Sequence, residues 1–186
     1  MLAYVFWHWP QPEIDRNSYV DHLINFHRTL AANKSSGFQR SAVFSMNGAP
    51  WLDTAAEAFE EWYLLDDSAA MDRLNEAAVS GNCETPHNLV AREAAGGTGG
   101  LYRLRAGHEV LAQAKVASWL SKPAGMSYPD LYSDLEDMTA TGITLWGRQM
   151  TLGPTKEFCL HSQEEIQLPS EFDSLSLPLT VVWSGS

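Results

Sequence analysis

The sequence is poor in cysteine, and the cysteines that it has are widely separated. Among 186 residues only Cys83 and Cys159 are cysteines, and they form no CxxC-type motif. Small disulfide frameworks and zinc knuckles need more cysteines at closer spacing, so we expect neither, and the count is typical of a reducing compartment. A pairing between the two cysteines stays open.

Basic residues are also scarce. The 12 lysines and arginines are scattered along the chain, 23 residues are acidic, and the net charge is −11. Nucleic acids and anionic membranes bind clustered basic side chains, so we expect no nucleic-acid partner and no membrane partner. No apolar run approaches the roughly 20 residues of a membrane span. The start, MLAYVFWHWPQP, lacks the basic segment and cleavage site of a signal peptide, so a cytoplasmic location is expected.

The chain lacks the short motifs of several large enzyme classes. It contains no P-loop, GxSxG, HExxH or EF-hand pattern. The glycine-rich segment GGTGG, residues 96–100, precedes a predicted strand instead of opening a helix, which does not fit a dinucleotide-binding loop. We therefore predict no metal site and no cofactor from motifs.

Aromatic residues, in contrast, are abundant and mark the strands. Residues 2–9, LAYVFWHW, are aromatic or β-branched on both faces and end at Pro10, which predicts a strand covered on both sides. A helix, two more strands, a second helix and a fourth strand follow. Their order, β-α-β-β-α-β, is the ferredoxin-like arrangement.

The rest of the chain repeats this order in a shortened form. AKVASWLSKP, residues 114–123, is similar to the first strand with its proline stop, and SYPDLYSDLED, from Ser127, is similar to the first helix. We therefore expect an α+β fold with an internal duplication. Residues 1–107 would form one ferredoxin-like repeat and residues 108–186 a degenerate one, with their antiparallel sheets packed into one barrel-like unit. A chance similarity of short strand patterns is the alternative.

The segment SYVDHLINFHRTL, residues 18–30, predicts an amphipathic helix with two histidines. At about 100° per residue, His27 projects about 80° from Tyr19, inside the apolar arc, and His22 about 300° from it. The two imidazoles diverge, whereas a shared metal ion needs an i,i+4 pair. A buried imidazole without a hydrogen-bond partner costs about 1–3 kcal/mol. His27 is therefore either a core histidine with a polar partner or an acid–base group that faces a cavity.

This helix and the preceding strand YVFWHWP resemble the start of the EthD-like proteins, in the dimeric α+β barrel superfamily. Tyr19 takes the place of the aromatic that begins the family's helix, and His27 that of its later histidine. His22 and Leu23 match a polar–aromatic pair, although Leu23 replaces the usual tryptophan. The resemblance implies a barrel of two ferredoxin-like sheets, a candidate site in the N-terminal half alone, and a possible homodimer. The superfamily includes cofactor-free monooxygenases, isomerases, cyclases and haem proteins, so it does not select a reaction.

The candidate site follows from this resemblance and from strand alternation. His27 is the predicted catalytic residue, as an acid–base or orienting group for a small apolar or aromatic metabolite. The predicted ligand-lining residues are Tyr4, His8, Trp62 and Tyr63. The alternatives are a non-catalytic ligand-binding or assembly protein in which His27 is structural and, third, a haem-binding protein. The remaining histidines after residue 80 lie near element ends and are expected to be solvated; they are His87, His108 and His161.

Overall fold

The computed structural model describes residues 1–54, 56–140, 142–154 and 156–185. These residues form nine strands and five α-helices. The strands are β1 (Leu2–Pro10), β2 (Phe38–Met46), β3 (Ala58–Leu65), β4 (Ala94–Ala106), β5 (Val116–Leu120), β6 (Thr144–Arg148), β7 (Phe158–Ser162), β8 (Leu175–Pro178) and β9 (Thr180–Gly185). The helices are α1 (Arg16–Ala32), α2 (Ser68–Ala78), α3 (Gly81–Glu93), α4 (Tyr128–Asp134) and α5 (Glu136–Ala140).

The nine strands form one antiparallel sheet that closes on itself. The strand order is β8-β5-β7-β6-β4-β1-β3-β2-β9. At one end of this order β8 pairs with β5, at the other end β9 pairs with β2, and Leu179 alone separates β8 from β9 in the sequence. The chain therefore joins the two ends of the sheet into a barrel. The predicted α+β fold with a barrel-like sheet is confirmed.

Both halves of the sheet have the same strand order. The first half runs β4-β1-β3-β2 and the second runs β8-β5-β7-β6, so each half places its own strands in the order fourth, first, third, second. The predicted boundary between residues 107 and 108 falls just after β4, which ends at Ala106. Gly107 then turns the chain with a φ of 76°, a value that favours glycine. The division into two repeats with a common origin remains our interpretation.

The segment GGTGG lies inside β4, where the sequence predicted a flexible connection before a shorter strand. This part of β4 pairs with residues 5–9 of β1, which include Phe6, Trp7 and Trp9. A Cβ atom on Gly97 would lie 2.5 Å from the Phe6 ring, and one on Gly96 would lie 2.6 Å from the Trp9 ring. The glycines make room for these rings, which is a known reason for glycine within a strand.

Two separate cores lie on the two sides of the first half of the sheet. Inside the barrel is a large cluster that includes Trp7 and Trp62. Outside it, an apolar cluster joins side chains of α1, α2 and α3 to Tyr63 of β3; these side chains include Phe26, Leu74 and Cys83. The three helices therefore cover the outer face of the N-terminal half, and the candidate site lies under them.

Candidate functional site

Alternate residues of β3 point to opposite sides of the sheet, as in any strand. Trp62 points into the barrel, whereas Glu61 and Tyr63 point toward the helices. The same alternation in β1 places Trp7 inside the barrel and His8 on the helix side. Neighbouring residues of these two strands thus contribute to two different environments.

A cavity of about 400 Å³ lies between the helices and the sheet in the N-terminal half. Its walls come from β1, β3, β4 and the three helices above them, and its large lining side chains include Tyr4, Phe6, Phe26 and Tyr63. Among the described residues that line it there is no lysine or arginine. Apolar cavities of roughly 300–1,000 Å³ with a few polar groups are typical of small-molecule sites. This cavity therefore suits an uncharged and largely apolar molecule.

Four polar residues of the cavity lining form a network around the carboxylate of Glu61, and Asn75 and His87 line the cavity outside this network. The Nε2 of His8 lies 3.0 Å from Oε1 of Glu61, and the Nδ1 of His8 lies 2.7 Å from the hydroxyl oxygen of Tyr19. The hydroxyl of Tyr63 donates a hydrogen bond to Oε2 of Glu61. His8, Tyr19 and Glu61 are exposed by 1%, 0% and 4%. They form a nearly dry polar network at the base of an apolar cavity.

His27 is fully buried, so the prediction that it points inward is confirmed. Its Nδ1 lies 2.8 Å from Oγ of Ser41, and its Nε2 lies 3.4 Å from Oε1 of Glu61, within the range of an ion pair. His27 is not among the described residues that line the cavity. It contacts the polar network through Glu61, and its predicted catalytic role stays a prediction. His22 belongs to a separate pair, with its Nδ1 2.8 Å from Glu93.

The network keeps Glu61 ionised and its hydroxyl neighbours protonated. Burial by itself raises the pKa of a carboxyl group, but the charges of His8 and His27 outweigh this effect and hold the pKa of Glu61 well below its usual range. Burial and the charge of Glu61 raise the pKa values of Tyr19 and Tyr63. Because an ionised carboxylate only accepts hydrogen bonds, we assign the shared hydrogen to Nε2 of His8.

A second buried carboxylate, Glu60, lies inside the barrel. It accepts hydrogen bonds from the indole N–H groups of Trp7 and Trp62, both at 2.6 Å. Burial raises the pKa of Glu60 to about 7, against the lowering effect of these hydrogen bonds. His161 lies 4.0 Å from Glu60, and burial lowers the pKa of its imidazole to about 3. The expectation that His161 is solvated is therefore wrong: it shares a strand face with Cys159, which points into the barrel.

The structure brings together some of the predicted site residues and separates others. Those that line the cavity are Tyr4, His8 and Tyr63. Trp62, predicted to line the ligand site, lies inside the barrel instead, because it alternates with Tyr63 along β3. Sequence reasoning missed Tyr19 and gave Glu61 no role of its own, although strand alternation already placed Glu61 on the same face as Tyr63.

Within the described ranges, no helix is both long and apolar enough to span a membrane. The same ranges contain no group of three or more His, Cys, Asp or Glu side chains that could hold a metal ion. Cys83 and Cys159 are both buried and both free, so the pairing left open by the sequence is not present.

Comparison with solved structures identifies the fold. A protein of Fusobacterium nucleatum subsp. nucleatum, named "putative monooxygenase", aligns with 98% of this chain and 93% of its own length, with a TM-score of 0.67 and 7% identity. A protein of the same name from Lactobacillus acidophilus aligns with 100% of this chain and 96% of its own, with a TM-score of 0.61 and 10% identity.

No known family model matches the sequence, and no curated protein matches it either. The TM-scores establish a common fold, and identities this low leave the reaction open. The specific resemblance to EthD-like proteins therefore stays a prediction. What the structural comparison does establish is that this chain has the same α+β barrel fold as these two proteins.

Proposed function

We propose that the protein binds and transforms a small, uncharged, apolar or aromatic molecule in the cavity of its N-terminal half. The observation that carries this proposal is the 3.0 Å contact between the buried Glu61 carboxylate and His8 in the wall of an apolar cavity. Burying a carboxylate costs several kcal/mol even after relaxation, so a core built for stability alone has little use for one. An imidazole held by a carboxylate is a common acid–base group in enzymes.

In this proposal the three charged groups have different roles. His8 is the acid–base group of the network, because it connects the Glu61 carboxylate to the Tyr19 hydroxyl at the wall of the cavity. Glu61 orients His8 and stabilises its protonated form through the 3.0 Å contact. His27 is a positioning residue that supports Glu61 from Nε2 while Ser41 fixes its other nitrogen. The acid–base role that sequence analysis assigned to His27 therefore passes to His8.

Filling the cavity should abolish ligand binding. Ala78 lines the cavity from α2 and is half-buried, so the ring introduced by Ala78→Phe would occupy space that a ligand needs. We expect this variant to bind 2-naphthol at least about tenfold more weakly than the wild type, measured by isothermal titration calorimetry, since each 1.4 kcal/mol of lost contact is a factor of ten.

The matched control is Ala69→Phe, which adds the same ring to an exposed position of the same helix. It should bind 2-naphthol like the wild type. Equal binding by both variants would show that the ligand binds elsewhere, and absence of binding to the wild type would contradict the proposed function.

A ligand-binding protein without catalysis is the second candidate. It is favoured by the fact that both ring nitrogens of His8 already have partners. Haem binding stays an untested third alternative, for which reconstitution with hemin would have to give a Soret band. Association into a homodimer and location in the cytoplasm also stay predictions.

A further inference from the structure

We infer that Tyr19 is the catalytic residue that exchanges a proton with the bound molecule, with His8 acting behind it, and that the molecule offers Tyr19 an oxygen acceptor such as a carbonyl group. The inference rests on the proposed function of the cavity. It follows from the way in which the two nitrogens of His8 are already used and from the position of the Tyr19 hydroxyl.

The hydrogen bonds of His8 leave neither of its ring nitrogens for a ligand. Nε2 carries a hydrogen and lies 3.0 Å from the carboxylate of Glu61. In the imidazolium form, which the Glu61 carboxylate stabilises, the other nitrogen, Nδ1, also donates, to the Tyr19 oxygen 2.7 Å away, so the Tyr19 hydroxyl hydrogen is left for a ligand. A ligand that exchanges a proton with the Nδ1 side of His8 must therefore do so through Tyr19, which itself lines the cavity.

The helix α1 and the strands β1 and β3 fix the positions of Tyr19, His8 and Glu61. Tyr19 lies in the first turn of α1, which is capped by Asp15 through a 2.9 Å hydrogen bond from the backbone N–H of Ser18. The ring of Phe59 packs against both members of the pair, with its centroid 5.4 Å from that of Tyr19 and 5.7 Å from that of His8. The hydroxyl, the imidazole and the carboxylate thus follow one another in the order used by hydroxyl–imidazole–carboxylate triads.

The proton transfer balances within these groups. When the ligand oxygen takes up a proton, Tyr19 donates its hydroxyl hydrogen to it and receives the hydrogen on Nδ1 of His8. The products are a ligand with one added proton, a neutral Tyr19 and a neutral imidazole whose Nε2–H still faces the Glu61 carboxylate. In the reverse direction the Tyr19 oxygen takes the proton back from the ligand while its own hydroxyl hydrogen moves to Nδ1.

No free tyrosinate accumulates in either direction. This agrees with the burial of Tyr19 and the nearby charge of Glu61, which raise the pKa of the phenol. It also limits the ligand class, because an anionic molecule would face the Glu61 carboxylate in a cavity whose described lining holds no lysine or arginine. The acceptor is therefore expected on an uncharged molecule.

Two ligands of the same shape test this role. 2-Acetylnaphthalene has a carbonyl acceptor, and 2-isopropenylnaphthalene replaces it with a CH₂ group. We expect the wild type to bind 2-acetylnaphthalene about 5- to 10-fold more tightly, as one additional hydrogen bond would give. Tyr19→Phe should bind both ligands equally in calorimetric titrations.

Tyr4→Phe is the matched control, because Tyr4 also brings a hydroxyl to the cavity but has no contact with His8 among the described hydrogen bonds. It should retain the preference for 2-acetylnaphthalene. Retention of the preference in Tyr19→Phe, or its loss in Tyr4→Phe, overturns the role of Tyr19. Equal binding of the two ligands by the wild type also overturns that role while leaving the cavity a ligand site. Failure of both ligands to bind overturns the proposed function as well.

The wild type supplies an independent measurement if Tyr19→Phe does not fold. With 2-acetylnaphthalene bound, the Tyr19 hydroxyl donates to the carbonyl and its oxygen becomes a stronger acceptor, so the ¹H signal of the Nδ1–H of His8 should move downfield. An Nδ1–H signal that does not change when the ligand binds contradicts the inference.

Discussion

Glu61→Gln is expected to lower the free energy of unfolding by about 3–5 kcal/mol at neutral pH, the usual cost of removing one partner from a buried charged pair. Glutamine has nearly the same shape, but it removes the negative charge that His8 and His27 share. It also leaves the hydroxyl of Tyr63 opposite an amide in place of a carboxylate. Urea denaturation of both proteins at pH 7 gives the difference directly.

The pH dependence of this difference has a definite sign. The pKa of Glu61 is lower in the folded protein than the ordinary value of about 4.3 in an unfolded chain. The unfolded state therefore binds the proton first as the pH falls, and the stabilisation by Glu61 is complete above about pH 4.3 and is lost at lower pH. The difference between wild type and Glu61→Gln should shrink as the pH is lowered from 5 toward 3.

Glu60→Gln is the control for this experiment, because the neighbouring carboxylate has the opposite shift. Burial raises the pKa of Glu60 to about 7, so the folded protein holds this proton to higher pH than the unfolded chain. Relative to Glu60→Gln, the wild type should lose stability as the pH rises from about 4.3 toward 7. Two variants with the same pH dependence would show that the environments of the adjacent carboxylates have been wrongly assigned.

Trp62→Ala should destabilise the protein by about 3–5 kcal/mol without weakening ligand binding. Trp62 is fully buried inside the barrel, and its indole N–H donates to Glu60. Its removal leaves a large cavity and takes away one of the two indole hydrogen bonds to Glu60, on the side of the sheet that faces away from the ligand site. Thermal unfolding measures the first effect, and titration with 2-naphthol measures the second.

Phe6→Ala provides the contrasting case. Phe6 is half-buried and lines the cavity on the helix side, so its loss should weaken binding of 2-naphthol more than it lowers stability. A Trp62→Ala variant that remains folded but no longer binds the ligand would place the site inside the barrel. Trp62 would then line the ligand site, as the sequence predicted.

Much of the fold could be predicted because its signals are local. The aromatic run of β1 stops at Pro10, and the order of strands and helices follows from similar local patterns. GGTGG was misread because glycines usually mark turns, whereas here they accommodate the rings of a neighbouring strand that is distant in sequence. The sequence of GGTGG itself does not show which distant strand will pair with it.

The sequence predicted that His27 points inward, but it did not predict the contacts within the site. Helical periodicity correctly turned His27 inward, but its partners come from β2 and β3 and could not be read from the helix. The contact between His8 and Tyr19 depends on how α1 lies over β1, which periodicity does not determine. Trp62 and Tyr63 were assigned to one cavity, although strand alternation already placed them on opposite faces.

The most direct test of the account is a crystal structure of the protein soaked with 2-bromonaphthalene, in which the anomalous signal of bromine locates the ligand without ambiguity. We predict a peak in the cavity beneath α2 and α3, beside the rings of Tyr4 and Phe6. A peak inside the barrel near Trp62, or bromine bound solely at the outer surface, would contradict the claim that the N-terminal cavity is the functional site.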